Sequence, residues 1–331
     1  MRDPLRIRDI AAAPGEKVRG WLTIGETPAG PIQLPLVLIN GKADGPVLCF
    51  TAGVHAAEYA PIDAVMRLVQ GIQPEQLRGA VIAVPVSNMR MFEHRAGFVS
   101  PLDGLNLNRI APGRPDGSIS EILADVLLGE VIGAAQYHID FHAGDLGEML
   151  FPFAGYALTG RRDLDEKGEA LARAFTPRLI SLATDGSTIP PFAGSLNHSA
   201  SRNGVVSILA ECGGNGTLDE ADVRTHMEGA YNVMRHLGML DGGRPTNGGG
   251  PRIAARDRVV VRASRSGLLR LGVHVGDEIM AGQEVAQICN VFGEIVERVR
   301  APGGGLAGLV WAHKVVNTGD PVVRYWITEP A

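Results

Sequence analysis

Apolar and polar positions along this chain follow two periods, and the switches between them mark out its elements. Val47-Leu48-Cys49-Phe50-Thr51 is an almost unbroken apolar run after the turn Ala43-Asp44-Gly45-Pro46, as a buried strand requires. Downstream, Ile62, Val65, Met66 and Val69 recur at helical spacing, which predicts a helix from about 58 to 71, entered through a turn at Gly53. The stretches 81–86 and 205–211 read as further buried strands, and 136–142 as a strand whose alternate positions are polar. Ser118-Ile119-Ser120-Glu121 and Thr217-Leu218-Asp219-Glu220 are capping boxes, opening helices to about 133 and about 239, and another helix is expected over 163–175. Ahead of all these, 18–24 and 32–39 alternate like antiparallel strands at a sheet edge. The segment 88–117 has no period. Polar and rich in Gly and Pro, it is expected to be an irregular loop, and loops of that length usually serve function.

Strands alternating with helices predict an α/β fold, a mostly parallel or mixed sheet flanked by helices, over residues 1–241. Residues 242–252 have the composition of a linker. Beyond it, 253–331 changes to short strands and turns, with an internal echo. Arg262-Ala263, Gly267-Leu268 and Gly276-Asp277-Glu278-Ile279 are answered by Arg300-Ala301, Gly305-Leu306 and Gly319-Asp320-Pro321-Val322, as in a small all-β barrel or sandwich. Such a tail is similar to a lipoyl or biotinyl carrier, but the hairpin Asn290-Val291-Phe292-Gly293-Glu294 lacks the lysine that a carrier needs. A pocket wall or an oligomer contact is the expected role.

Composition narrows the picture by exclusion. The 331 residues suffice for two domains and a large core. With 31 Lys and Arg against 36 Asp and Glu the net charge is −5, and no basic run offers a nucleic-acid surface. No stretch is long and apolar enough for a membrane span, and the first 20 residues lack the apolar core of a signal peptide. The 3 cysteines have no metal-knuckle spacing and read as reduced, buried thiols, so a cytoplasmic protein is expected.

The chemistry gathers where strands run out. His55 and Glu58, three residues apart at a strand-to-helix turn, bring an imidazole and a carboxylate to one side, a half-site for zinc. A capping histidine and a solvated glutamate would give the same tetrapeptide. The metal reading gains because further donors follow at other strand ends. His142 supplies a third ligand and leaves a fourth position for water, as catalytic zinc requires, and Glu211 becomes the general base. His138 shares a face with His142 and competes with it, and Asp140 between them is a candidate to orient a ligating imidazole. In the long loop, Arg109 can grip a carboxylate through its forked guanidinium while Asn108 fixes the other oxygen, and Arg95 is positioned to stabilise an oxyanion.

Taken together, His55-x-x-Glu58, the run Asp103-Gly104-Leu105-Asn106-Leu107-Asn108-Arg109, Asp140-Phe141-His142 and Glu211 resemble the zinc carboxypeptidase superfamily. Within it, the chain most resembles the succinylglutamate desuccinylase/aspartoacylase family, with the ordered motifs spanning roughly 40–215 and a similar β-rich tail. The resemblance implies a carboxypeptidase-like α/β fold and a zinc-dependent hydrolase, one ion per chain, that removes the acyl group from a small N-acyl amino acid. It implies metal binding by His55, Glu58 and His142, catalysis by Glu211, and carboxylate recognition by Asn108 and Arg109. Two positions depart from the pattern. Ala56-Ala57 stand where a glycine and a polar residue are usual, and Asn106 stands where carboxypeptidases carry an aspartate supporting a zinc histidine, a role that Asp140 is then expected to take over. A carboxypeptidase for short peptides and a catalytically silent binding protein use the same residues and remain alternatives. Neither a nucleic acid nor a membrane is expected as partner, and homo-oligomerisation is left open.

Overall fold

The computed structural model describes residues 3–176, 179–183, 194–242 and 253–330. A short pair, β1 (Leu5–Ile7) and β2 (Ile10–Ala12), packs against the long edge hairpin of β3 (Glu16–Thr27) and β4 (Gly30–Asn40). The chain then alternates. β5 (Ala43–Thr51), α1 (Tyr59–Gly71), β6 (Arg78–Val84), α2 (Met89–His94), α3 (Ile119–Val126) and β7 (Tyr137–Gly144) form the first half. The second half holds β8 (Glu148–Ala157), α4 (Arg162–Phe175), β9 (Leu179–Ala183), α5 (Leu196–Arg202), β10 (Val206–Gly214) and α6 (Glu220–His236). Among the described residues, the tail has only strands as its elements. It comprises β11 (Ile253–Arg262), β12 (Gly267–Leu271), β13 (Glu278–Ile279), β14 (Glu284–Cys289), β15 (Ile295–Arg300), β16 (Gly305–Trp311), β17 (Val315–Val316) and β18 (Pro321–Pro330).

Among the described residues, twelve strands share one mixed sheet in the order β13-β16-β18-β11-β9-β8-β10-β7-β5-β6-β4-β3. Its centre, β6-β5-β7-β10, is parallel, so β5, β7 and β10 deliver their carboxyl ends to one edge, where α/β sheets place ligands. Period 2 divides these strands into two faces. Leu48, Phe50, Ile139, Phe141, Ile208 and Ala210 pack into a core with residues of α1, α4 and α6. The opposite face carries Thr51, His138, Asp140, His142, Ser207 and Glu211, lined up across the registers Thr51↔Asp140, Ser207↔His138 and Glu211↔His142. Apolar residues on one face and a polar column on the other explain the alternation seen in 136–142.

The tail does not stand apart from this sheet. β11 pairs with β9 and β18, β18 with β16, and β16 returns to the start of β8, so β8, β9, β11, β18 and β16 close into a ring. β15-β14-β12-β17 form a second, antiparallel sheet. An α/β body with a mixed sheet flanked by helices and a C-terminal all-β part is therefore what the chain builds. The stretch expected as a linker, 242–252, lies outside the described residues except for Gly242.

Several boundaries move for local reasons. The loop 88–117 is not wholly irregular: Asn88 Oδ1 accepts the Met91 N–H (3.2 Å) and starts α2, and a 3₁₀ turn spans Leu107–Arg109. Asp219, rather than Thr217, caps α6 by accepting the Ala221 N–H. β7 and β10 both run past their expected ends, so His142 and Glu211 lie inside strands, and the β10 register shifts only after Glu211. The described residues include no helix long and apolar enough to cross a membrane.

Candidate active site

Gly53 makes the turn from β5 possible: its φ of +64° is left-handed, and a Cβ there would meet Val86 Cα at 3.1 Å. The turn swings His55 and Glu58 back over the sheet edge. Glu58 is the N-cap of α1, yet its side chain makes no capping bond; it turns inward instead, with Oε2 accepting the Ala143 N–H at 2.9 Å. Oε1 lies 3.0 Å from His55 Nδ1 and Oε2 lies 3.0 Å from His142 Nδ1. All three side chains are buried, and one ligand atom of each falls within 4.8 Å of the others. Burial opposes ionisation of Glu58, but His142 and then His55 outweigh it and hold the carboxyl down to about 2.

The far side of each imidazole is also held. His55 Nε2 meets Asn106 Oδ1 at 3.1 Å, and His142 Nε2 lies 3.3 Å from Asp140 Oδ2. Asp140 thus does not take over the position of Asn106, since each supports a different histidine. Below them Asp140 Oδ1 accepts the Thr51 hydroxyl at 2.6 Å. With that proton committed, Thr51 Oγ1 accepts from His138 Nε2 (2.8 Å), and Ser207 donates to His138 Nδ1 (2.8 Å). Burial, only partly offset by Asp140, lowers His138 to about 4, so it is a neutral relay in the wall. Burial opposes a charge on His142 as well, but Asp140 and Glu58 win and raise it. The carboxylates that hold a proton there suit a divalent cation equally. Two Nδ1 atoms and a carboxylate, each imidazole anchored through Nε2, fit a zinc donor set with one side open.

These residues border a cavity of about 200 Å³ that Asn108, Arg109 and Glu211 also line. Glu211 Oε2 is buried without a hydrogen-bond partner among the described residues. Burial raises its carboxyl, and Glu58, Glu148 and Asp140 add to the rise against the pull of His142. Asn108 is locked in place, its Oδ1 accepting the Leu196 N–H (3.1 Å) and its Nδ2 lying 3.4 Å from His142 Nε2. Arg109 donates to the Asn108 carbonyl at 2.7 Å and lines the cavity. Asp103 anchors their loop, accepting from the Ser118 hydroxyl, from both the amide and hydroxyl of Ser120, and from the Leu105 amide.

Arg95 is not brought to this site. It closes α2 in the left-handed conformation (φ 53°), with its side chain exposed and outside the cavity lining. Three further charged residues line the cavity: Glu148 from β8, Arg258 from β11 and Arg324 from β18. A signal was present for Arg324, a charge inside the apolar run Val322-Val323-Arg324-Tyr325-Trp326.

Comparison with known proteins follows the same lines. The sequence profile of the succinylglutamate desuccinylase/aspartoacylase catalytic domain matches residues 44–237. An N-alpha-acetyl-L-2,4-diaminobutyric acid deacetylase of Halomonas elongata is 28% identical over 305 residues, 90% of this chain and 86% of that protein. The product-bound ectoine utilization protein EutE (DoeB) of Ruegeria pomeroyi superposes with a TM-score of 0.88 at 24% identity, covering 98% of both chains. A succinylglutamate desuccinylase/aspartoacylase of Rhodobacter sphaeroides does so with a TM-score of 0.86 at 25% identity, again over 98% of each.

Proposed function

The chain belongs to the succinylglutamate desuccinylase/aspartoacylase family, and from that premise we propose that it hydrolyses the amide bond of an N-acyl amino acid with one zinc ion. The observation that carries this reading is the meeting of His55, Glu58 and His142 around one cavity with Arg109 and with a Glu211 oxygen that has no hydrogen-bond partner among the described residues. Zinc held by His55, Glu58 and His142 would acidify a water and polarise the acyl carbonyl. Glu211 accepts the proton of the attacking water and passes it to the departing amine. Arg109 pairs with the amino-acid carboxylate, and Asn108 offers Nδ2 to its second oxygen. Asp140 and Asn106 fix the two imidazoles so that both Nδ1 atoms stay turned toward Glu58. Arg95, out on the surface, is assigned no step. A cavity of about 200 Å³ suits one acylated amino acid better than a peptide, which favours a deacylase over a carboxypeptidase.

The test is a screen of N-acetyl and N-succinyl amino acids against metal-loaded and chelated protein. Release of free amine that stops on chelation and returns with zinc is the expected result. Full metal content without turnover of any acyl amino acid would instead support the silent binding protein.

A further inference from the structure

Two residues other than glycine take left-handed backbone in the short segment that follows α2. Arg95, its C-cap, has a φ of 53° and Phe98 a φ of 55°. For a side chain as bulky as that of Phe98 the conformation is strained, and strain of this kind persists only where the surroundings impose it. Here a single contact does so. Among the described residues, Gly97, Phe98 and Val99 make two hydrogen bonds. One lies inside the segment, from the Val99 N–H to the Gly97 carbonyl (2.7 Å), and the other runs from the Phe98 N–H to Asp145 Oδ2 (2.8 Å). On either side the chain is fixed, Ala96 donating to the Met91 carbonyl and Ser100 to that of Leu105. Asp145 is buried just after β7, and a Cβ on Gly97 would overlap its Oδ1, so the carboxylate comes this close only because position 97 is glycine. The side chain placed in this way belongs to the site. Phe98 lines the cavity, its ring edge-to-face with His55 at a centroid distance of 5.3 Å. It is also 37% exposed, and Arg95 and Val99 beside it are exposed without lining the cavity, so the segment runs along the rim.

We propose that Phe98 is a gate on this cavity, latched by Asp145. Shut, its ring packs on His55. When the bond to Asp145 breaks, residues 97–99 turn between Ala96 and Ser100, the ring leaves His55 and the left-handed strain is released. Strain and latch are of the same order and opposite in sign, so the shut state is only slightly favoured and opening requires no other element to move. The proposal goes beyond the deacylase reading, because it concerns passage into the cavity and holds whichever bond is cleaved there.

Gly97→Ala tests the latch, because the added Cβ displaces the Asp145 carboxylate and leaves every cavity-lining side chain unchanged. Asp145→Ala removes the same bond from its other end. Gly104→Ala is the control: it strains the same loop at a φ of 70°, with no atom within 4 Å of the added Cβ, and spares the latch. The first measurement is zinc exchange, the uptake of the ion by metal-free protein and its release to excess chelator. Both rates should rise about 10- to 100-fold in Gly97→Ala and Asp145→Ala, the range of one hydrogen bond to a charged group. They should rise by the same factor, so that Kd for zinc holds, and keep parent values in Gly104→Ala. Faster release without faster uptake would make the segment a support for His55 and overturn the gate. Unchanged rates in both latch variants, or equal acceleration in Gly104→Ala, would overturn it too. The second measurement needs no metal. Trp326 lines the cavity, and with Trp21 and Trp311 replaced by Phe its fluorescence reports the entry of acrylamide. Quenching in metal-free Gly97→Ala should be about tenfold faster than in the parent, from the same bond. An unchanged quenching rate refutes the gate, whether or not the chain binds zinc or cleaves an acyl amino acid.

Discussion

Replacing Glu211 by Gln tests the chemistry most sharply, because the structure separates what the residue does from what it holds up. The side chain projects from β10 beside His142 in register and lines the cavity. One carboxylate oxygen has no partner among the described residues, so the amide removes no hydrogen bond from that atom. It also removes a group that burial and three nearby acids, Glu58, Glu148 and Asp140, make hard to ionise. The variant should therefore be at least as stable as the parent in urea and should keep its zinc. What it loses is the capacity to carry a proton, which is worth about 10²–10⁴ in rate, or roughly 3–5 kcal/mol of barrier. The decisive assay is kcat on the best acyl amino acid together with zinc content by elemental analysis and a urea midpoint. A variant that retains a tenth or more of the parent kcat at full zinc occupancy would refute the assignment and send the search to another base. A variant that loses zinc would make Glu211 a ligand.

Four other outcomes follow from the same geometry. His142→Ala should lose zinc on dialysis, whereas His138→Gln should keep it, because His138 is committed to Thr51 and Ser207; the reverse pattern would exchange their roles. Arg109→Lys should depress kcat/KM for free-acid substrates by about tenfold or more, and amidated substrates should be poor for the parent and insensitive to the change; equal parental turnover of acid and amide would free Arg109 from carboxylate binding. Asp103→Ala removes the acceptor that ties the Asn106–Arg109 loop to α3, so stability should fall by about 1–3 kcal/mol and KM should rise; an unaltered urea midpoint would show the anchor to be idle. His138 and His226 are held by burial at about 4, below the unfolded value of about 6.5, so the unfolded chain binds more protons between those limits. Stability should be full above about pH 6.5 and fall toward pH 4, by on the order of 3 kcal/mol per histidine, and a flat urea midpoint between pH 7 and 5 would contradict it.

The part of the site that the sequence made legible is the part built by local rules. His55 and Glu58 share one turn, and His142 and Glu211 belong to apolar runs whose alternation announces which side chains share a face. Parallel strands bring such residues to one edge whatever lies between them. Arg258 and Arg324 were not legible in this way. They reach the cavity only because β16 pairs back onto β8 and closes a ring of strands, and no local signal encodes that closure. Arg95 misled for the same reason: it shares the long loop with Arg109, but as the left-handed C-cap of α2 it is turned to solvent, and a helix inside an aperiodic segment left no hydrophobic pattern to read. Asp103 was visible within its motif, yet its work as an anchor depends on Ser118 and Ser120, which only the fold brings beside it.

The pairing of Asn106 with His55 and of Asp140 with His142 has an electrostatic logic that the departure at position 106 makes plain. Around the prospective ion the neighbours favour charge on Glu58 and Asp140, whose carboxyls both lie below their ordinary values although burial alone would raise them. His138 stays neutral in the wall. Two buried negative charges are balanced by one divalent cation, so this half of the site closes near neutrality inside a medium of low dielectric, where an excess charge is expensive. An aspartate at 106 would leave one negative charge over. The neutral amide still accepts from His55 Nε2, and it also accepts the Asn108 N–H at 2.9 Å, which sets the turn that carries Asn108 and Arg109. One side chain thereby orients His55 and starts the turn that carries Asn108 and Arg109, so the geometry of the proposed metal site and that of the proposed carboxylate grip are coupled through a residue that needs no charge to couple them.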